Sequence, residues 1–176
     1  MRLSNENITI ELLNLDNCDF KSYMKWMNNW DIVKYTSSKF RVYDIESLHN
    51  YINDMNNSKN DYLFGIFYKN KHIGNLKIGS INYINRNCYL GLIIGKKKYF
   101  GKGIATKSIS LGVEFAFNYL GLFKVKSGMY ECNQSSYKAF LNNDFIEIGR
   151  YKKDFLFNSK RYDVILLEKI NKTIEN

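Results

Sequence analysis

Tyr99-Phe-Gly-Lys-Gly-Ile-Ala-Thr106 is the stretch that decides the fold of this chain. It follows an apolar run at 89–94 that predicts a buried strand, and it opens a run of helical apolar spacing that extends to about Leu120. A glycine-rich turn at this position presents backbone N–H groups that lack intrahelical partners, and the helix dipole adds positive potential there. The turn is also rich in lysine: Lys96, Lys97, Lys98 and Lys102. The stretch therefore predicts a site for a phosphate or pyrophosphate group.

Two phosphate-binding motifs with known mechanisms do not fit this turn. The chain contains no G-x-x-x-x-G-K-[ST] sequence, which excludes a P-loop. The dinucleotide motif G-x-G-x-x-G requires a third glycine, and Thr106 stands in that position. A purely structural role also remains open, because a tight strand-to-helix turn can need glycine for its backbone conformation alone.

Composition predicts one globular domain over residues 1–176. Hydrophobic residues make up 45% of the chain and aromatic residues 16%, enough for a sizeable core. No apolar run is long enough to span a membrane, and residues 1–7 lack the apolar stretch of a secretory signal, so we expect a cytoplasmic protein with no membrane partner. The three cysteines and two histidines show no metal-ligand spacing, so no metal site is expected.

The formal net charge of +9 indicates either a solvated lysine surface or an anionic partner. A nucleic-acid-binding protein should concentrate its basic residues on one element. Here they are scattered, apart from the cluster at 96–102. The charge therefore favours an anionic small molecule, and no nucleic-acid partner is expected.

The apolar patterning predicts seven strands and four helices. The strands are expected at 8–13, 62–68, 72–80, 88–94, 124–130, 145–149 and 162–167, and the helices at 19–30, 44–52, about 104–120 and 133–142. The order is β-α-α-β-β-β-α-β-α-β-β. A meander followed by a β-α-β unit predicts an α/β (α+β) fold with a mixed, mostly antiparallel sheet of six to seven strands, flanked by four helices.

The glycine turn resembles motif A of the GNAT superfamily of acyl-CoA N-acyltransferases, [QR]-x-x-G-x-[GA] between a strand and a helix. The corresponding residues are Phe100-Gly-Lys-Gly103-Ile-Ala105. Gly103 and Ala105 match, whereas Phe100 occupies the usual Gln/Arg position. The substitution removes a side chain that could contact a pyrophosphate but leaves the backbone N–H groups in place.

A second segment resembles the family motif N-x-x-[AS]-x-x-L-Y-x-x-x-G-F, and the predicted element order is also the family's. Asn133, Ser136 and Phe145 match this motif. Phe140 replaces the tyrosine that many members use as a general acid, and Asp144 replaces the glycine. The resemblance covers nearly the whole chain.

The resemblance implies an enzyme that transfers an acetyl group from acetyl-CoA directly to a primary amine. It places the pantetheine arm beside the strand that ends at residue 94, with a backbone N–H near Ile93 or Ile94 as oxyanion donor. The cofactor-binding residues that it implies are Ile93, Ile94, Gly95, Phe100, Gly101, Lys102, Gly103, Ile104, Ala105, Thr106, Asn133 and Ser136.

The sequence departs from the family pattern at the positions of the catalytic acid and base. Because Phe140 cannot donate a proton, Tyr137, one turn earlier on the same helix, is the candidate catalytic acid. The alternative is that Tyr137 packs or faces solvent. Residues 87–89, where the family often carries a glutamate base, contain no carboxylate, so the expected base is water relayed by polar groups.

The resemblance places the acceptor amine on the N-terminal helices and loops. The predicted substrate-binding residues are Trp26, Trp30, Tyr35, Arg41 and Asn75, and the alternative for the aromatic ones is a place in the core. Residues 72–80 and 89–105 are similar to the branch that acetylates amino sugars on nucleoside diphosphates in surface-polysaccharide biosynthesis. Ribosomal-protein N-terminal amines and polyamines are the alternative acceptors.

Charge and aromatic content distinguish these acceptors. The chain is basic and lacks an acidic cluster for a polyamine, whereas a nucleotide-linked amino sugar would bring an anionic diphosphate and a base that could stack on Trp30 or Tyr35. The sugar nucleotide is therefore the expected acceptor. A homodimer is possible, and a non-catalytic basic module that binds CoA or nucleic acid is the alternative of another class.

Overall fold

The computed structural model describes residues 1–174, and one eight-stranded sheet forms its centre. The strands are β1 (Arg2–Asn5), β2 (Ile8–Leu12), β3 (Tyr62–Tyr68), β4 (Lys71–Asn82), β5 (Asn87–Ile94), β6 (Lys124–Tyr130), β7 (Ile146–Phe157) and β8 (Lys160–Ile170). Their order in the sheet is β1-β2-β3-β4-β5-β6-β8-β7. All neighbours are antiparallel except β5 and β6, which run parallel and are joined by a helical crossover.

Five α-helices connect the strands. They are α1 (Phe20–Met27), α2 (Trp30–Val33), α3 (Ile45–Asn57), α4 (Ile104–Glu114) and α5 (Gln134–Leu141). α4 continues as a π-helical turn over Phe115–Tyr119, and Gly121 follows with a positive φ of 61°. Short 3-10 turns form at Ser37–Phe40 and Lys97–Tyr99.

The sheet separates two apolar clusters. The larger lies against α4 and α5, where buried side chains such as Phe64, Leu76 and Ile109 pack together. The smaller lies against α1, α2 and α3, and includes Leu48 and Ile52. Both faces of β3 are therefore covered along most of its length, which explains why residues 62–68 read as a nearly continuous apolar run.

The predicted fold class, with its mixed and mostly antiparallel sheet, is confirmed, but the prediction missed one strand and one helix break. β1 was not predicted. The helix predicted over 19–30 ends at Met27, because Asn29 begins a new helix: its side-chain Oδ1 accepts a hydrogen bond from the Asp31 N–H at 3.0 Å. Asn28 holds the break by two hydrogen bonds to the backbone of Tyr43.

The last two strands are also longer than predicted. β7 and β8 form a hairpin whose two-residue turn, Asn158–Ser159, has positive φ at both positions (48° and 60°), as tight hairpin turns require. The hairpin carries Phe155 and Phe157 toward the end of the sheet where β5 and β6 terminate. Among residues 1–174, no helix is both long and apolar enough to cross a membrane.

Candidate functional site

The site centres on a gap between β5 and β6. The two strands pair at only three positions, Asn87 with Lys124, Cys88 with Val125 and Tyr89 with Lys126. Beyond these pairs the strands diverge. The buried Ser127 hydroxyl closes the narrow end of the gap by donating a hydrogen bond to the Leu90 carbonyl at 2.9 Å.

Backbone direction along β5 determines which groups face this gap. The carbonyls of Arg86 and Leu90 accept hydrogen bonds from the β6 side, whereas the Gly95 N–H donates to Ile73 at the start of β4, at 2.7 Å. Since alternate residues of a strand direct their N–H and C=O groups to the same side, those of Leu92 and Ile94 face the gap. Of the two residues predicted near the oxyanion, only Ile94 turns its N–H toward the gap.

The glycine turn closes the wide end of the gap. Gly101 and Gly103 have φ values of 69° and 70°, a region that non-glycine residues rarely adopt, and a Cβ on either would meet no atom within 4 Å. Gly103 is the N-cap of α4, and no side chain caps that helix. The N–H groups of its first turn therefore remain available to an anion.

The lysines of the turn do not all face this helix end. Lys97 pairs with Asp31 of α2 at 2.6 Å, Lys96 lies near the Trp26 ring, and Lys98 lies over Tyr99 at 5.1 Å. Lys102 is exposed on the turn itself. The four lysines therefore do not converge on the start of α4, where the groups available to an anion are mainly backbone N–H groups.

α5 meets the start of α4 at its C-terminal end. Asn133 caps the other end of α5 by accepting the Ser136 N–H, whereas Asn143 beyond the helix donates to the Thr106 carbonyl of α4 at 3.0 Å. The observed contact therefore lies at the end of α5 opposite the predicted cofactor residues Asn133 and Ser136. Phe140, in the position of the family's tyrosine, is buried and packs edge-to-face on Phe145.

The Tyr137 side chain extends toward β7. Its hydroxyl donates to the Glu147 carboxylate of β7 at 3.0 Å, and this hydrogen bond raises the pKa of Tyr137. Among residues 1–174 the hydroxyl has no other hydrogen-bond partner, so no observed contact links the proposed acid to the gap.

Aromatic rings surround the other opening of the gap, which we call the acceptor mouth and define by Trp30, Tyr35, Tyr130, Phe155 and Phe157. Tyr130, the last residue of β6, stacks on Phe155 with 3.4 Å between ring centroids. Trp30 stacks on Phe157 at 6.1 Å, and Tyr35 meets Phe157 at 5.5 Å. The Lys97–Asp31 ion pair connects α2 to the segment after β5, and Tyr130 is the last residue of β6. The mouth therefore lies between the ends of these two strands.

The structure distributes the five predicted substrate residues unevenly. Trp30, 51% exposed, and Tyr35 belong to the acceptor mouth, and Arg41 is exposed on the segment that follows α2. Trp26 and Asn75 are instead buried, Trp26 in the smaller cluster, so neither lies on the exposed surface of the mouth and their contact with the substrate stays a prediction. The cause for Trp26 is its packing on Gly95, where a Cβ would lie 1.9 Å from the indole ring.

Asn75 belongs to a buried polar group beneath the mouth. The His72 Nδ1 accepts the Asp19 N–H at 3.2 Å, so its Nε2 carries the proton and donates to the Asn75 side-chain oxygen at 2.7 Å. Burial lowers the pKa of His72, which keeps the ring neutral. The Asn75 Nδ2 has no hydrogen-bond partner among residues 1–174.

Most acidic groups near the mouth are neutralised by cations. Glu131, directly after β6, and Asp163 of β8 both pair with Arg150, at 3.2 and 3.7 Å. Asp154 is exposed beside Tyr130 and has no ion-pair partner within the described part of the chain. Burial raises the pKa of the Cys132 thiol, so this cysteine is a poor nucleophile. No cluster suited to a metal ion occurs in residues 1–174.

Sequence reasoning missed Tyr130, Phe155 and Phe157 as parts of the mouth. The available signal was the alternation Phe155-Leu-Phe157 directly before Asn158-Ser159, which is typical of a strand entering a hairpin turn. Nothing in the sequence pattern places this hairpin beside Trp30.

Comparison with known proteins agrees with the geometry of the gap and the turn. A family model described as an acetyltransferase (GNAT) domain matches residues 8–146. A curated spermidine N(1)-acetyltransferase of Vibrio cholerae is 27% identical over 161 residues, which cover 90% of this chain and 91% of that protein.

Solved structures show the same fold. A spermidine N-acetyltransferase from Vibrio cholerae, solved in complex with CoA and spermine, superposes with a TM-score of 0.82 at 22% identity, covering 94% of this chain and 96% of that one. A structure described as a probable acetyltransferase superposes with a TM-score of 0.86 at 21% identity and covers 99% of both chains.

Proposed function

The chain belongs to the GNAT family of acetyltransferases, and on that premise we propose that it acetylates a primary amine of a linear polyamine of the spermidine class. Family membership identifies the chain as an enzyme that uses acetyl-CoA, which removes the alternative of a non-catalytic module. The likeness along 90% of the chain to a curated spermidine N(1)-acetyltransferase carries the choice of acceptor.

The donor side fits CoA through backbone groups. The open space around Gly101 and Gly103 and the uncapped first turn of α4 suit the pyrophosphate. We assign this contact to the N–H groups of residues 101–106, with Lys102 adding charge and Phe100 contributing its main chain only. Acetyl-CoA supplies the thioester that the amine attacks.

The unpaired edge of β5 suits the remainder of the donor. The Leu92 and Ile94 backbone groups face the gap and can pair with the amides of the pantetheine arm, as a neighbouring strand would. We assign the Ile94 N–H as the donor to the negative charge that develops on the thioester oxygen. Asn133 and Ser136, at the start of α5, are proposed to border the same arm.

The acceptor side is suited to bind a cationic substrate mainly through the faces of aromatic rings and less through carboxylates. Ring faces attract ammonium groups, and the parallel stack of Tyr130, Phe155, Phe157 and Trp30 offers them near the end of the gap. Asp154 is placed to attract a second ammonium group at the rim. The attacking amine must lose a proton, since such amines have pKa values near ~10.4 and are mostly protonated at neutral pH.

A second candidate acceptor is the nucleotide-linked amino sugar. The specific observation that favours it is the exposed Trp30 ring, 51% accessible, in a chain of net charge +9, because a base can stack on an indole and a diphosphate is attracted by positive charge. The likeness to the spermidine enzyme favours the polyamine over this candidate.

One panel of acceptors tests the proposal. CoA release from acetyl-CoA would be measured with spermidine, spermine, UDP- and dTDP-linked amino sugars, and peptides with the N-terminal sequences of ribosomal proteins. We expect kcat/KM to be highest for spermidine or spermine. Preferential turnover of a nucleotide sugar would reverse the ranking of the two candidates, and preferential turnover of peptides would overturn both.

A further inference from the structure

Lys39 places its ammonium group inside the aromatic surface of the acceptor mouth. The Lys39 Nζ lies 4.0 Å from the Phe155 ring centroid, 4.8 Å from Phe40 and 5.9 Å from Phe157. Phe155 is only 7% exposed, and the opposite face of its ring is covered by Tyr130. The Lys39 ammonium therefore occupies the remaining face of a ring that would otherwise be open to the mouth.

No carboxylate accounts for the position of Lys39. Within residues 1–174 it forms no ion pair, whereas the neighbouring Lys34 pairs with Asp31. The 3-10 turn that carries it, Ser37–Phe40, buries none of its residues, and Phe40 is 83% exposed. The Lys39 ammonium thus contacts the rings of the hairpin from an otherwise exposed turn.

The chemistry of this contact matches that of the proposed substrate. A lysine ammonium on a four-carbon stem resembles the aminobutyl end of a polyamine, and both would use the same ring face. Because Lys39 belongs to the same chain, its local concentration at the ring is high and independent of substrate. A polyamine that places an ammonium group on Phe155 must first displace it.

We propose that Lys39 is a specificity-determining residue that occupies the ammonium subsite of the acceptor mouth and competes there with the non-reacting ammonium group of a polyamine. The inference rests on the proposed function for the class of acceptor. It assigns Phe155, Phe157 and Phe40 as the subsite. It also lowers the affinity of every acceptor that uses this subsite by the same factor, and leaves unaffected an amine that does not reach it.

The test compares Lys39→Met with wild type, because methionine keeps an apolar stem and removes the charge. Lys39→Arg retains a cation over the ring, and Lys160→Met is a matched control. Lys160 also lies over an aromatic ring, Tyr162 at 5.2 Å, on the same hairpin. KM would be measured for spermidine and for the monoamine hexylamine, and spermidine Kd by calorimetry on the CoA-bound protein.

We expect KM and Kd for spermidine to fall about three- to tenfold in Lys39→Met, the scale of one cation–π contact. Hexylamine KM should change less than about twofold, and the Arg variant and the Lys160 control should resemble wild type. An unchanged or higher spermidine Kd in Lys39→Met would overturn the inference. So would an equal fall for both amines, or an equal fall in Lys160→Met, because these indicate loss of steric cover or of general charge.

The failure of this inference is distinguishable from the failure of the proposed function. If spermidine Kd falls in Lys39→Met but no variant acetylates spermidine, the subsite stands and the proposed acceptor is wrong. If spermidine is acetylated and its Kd is the same in both proteins, the acceptor stands and Lys39 does not compete. Absence of spermidine binding to every variant overturns both.

Discussion

The proposed donor and acceptor sides of the site are built from different chemical groups. The donor side consists of main-chain groups: the unpaired edge of β5 and the uncapped start of α4 behind two left-handed glycines. The acceptor side consists of side chains from α2, β6 and the β7–β8 hairpin, held together by ring stacking. The donor side is formed by residues that are close in sequence, whereas the acceptor side is formed by residues about 120 positions apart.

This difference determines how amino-acid substitutions affect each side. Backbone N–H groups are the same whatever side chain they carry, so Phe100 can stand in the usual Gln/Arg position without removing the pyrophosphate contact. A surface of side chains changes with every substitution. We therefore expect variants of the donor side to alter acetyl-CoA binding or kcat, and variants of the acceptor side to alter KM for the amine.

The largest effect is expected from Ile94→Pro, which removes one backbone N–H. That N–H faces the gap and not β4, so the sheet should keep its hydrogen bonds, as at an edge strand. If it stabilises the oxyanion, kcat should fall by roughly 10²–10³. Ile94→Ala is the matched control for the lost side chain. A kcat for the proline variant within a few fold of the alanine variant would remove Ile94 from the reaction.

The next largest effect is expected from Gly103→Asp. Aspartate tolerates positive φ better than most residues and is a good N-cap, so α4 should persist while the carboxylate occupies the anion site. The Kd for acetyl-CoA should rise at least about thirtyfold, or ~2 kcal/mol, by calorimetry. Gly149→Asp on β7 is the control, since its φ is ordinary and its Cβ would meet no atom within 4 Å. Equal affinities in the two variants would place the pyrophosphate elsewhere.

A smaller effect, confined to the acceptor, is expected from Trp30→Ala. Loss of the ring should raise KM for the amine about three- to tenfold and leave KM for acetyl-CoA unchanged, because Trp30 contributes to the mouth only. Tyr119→Ala is a suitable control, being similarly exposed (55% against 51%) at the far end of α4. A change in acetyl-CoA KM in the Trp30 variant would show that the two sides are not separate.

The smallest effect is expected from Tyr137→Phe. Its hydroxyl is bound to Glu147 of β7 and to no group of the gap, so kcat should change less than about twofold. The loss of one exposed hydrogen bond should lower stability by no more than about 1 kcal/mol, measurable by thermal unfolding. A tenfold or greater fall in kcat in a folded variant would restore Tyr137 as the general acid and require α5 to rotate on binding.

The sequence predicted the backbone of the glycine turn more directly than the arrangement of the acceptor mouth, and the reason is physical. Glycines at 101 and 103 between an apolar strand and a helix specify local backbone geometry, which neighbouring residues determine. Whether Trp26 or Trp30 faces the substrate depends instead on the helix break at Asn28 and on the contact with Gly95, 69 residues away from Trp26. Periodicity alone carries neither piece of information.

The same limit applies to the hairpin. The strand character of 146–149 was evident, but the continuation to Phe157 required recognising Asn158-Ser159 as a turn with two positive φ values. The position of Lys39 over Phe155 depends on contacts between elements more than 100 residues apart, which no local pattern encodes.

The half-paired β5 has a consequence for the exchange of amide protons with solvent. Along Gly91–Gly95, odd-numbered amides face β4 and should exchange slowly, whereas the amides of Leu92 and Ile94, at the C-terminal end of an internal strand of the sheet, should exchange fast. Slow and fast deuterium exchange would thus alternate from one residue to the next along this strand, although the strand is not at the edge of the sheet. A molecule that fills the gap would slow the fast set alone, so these two protons report on the occupancy of the site.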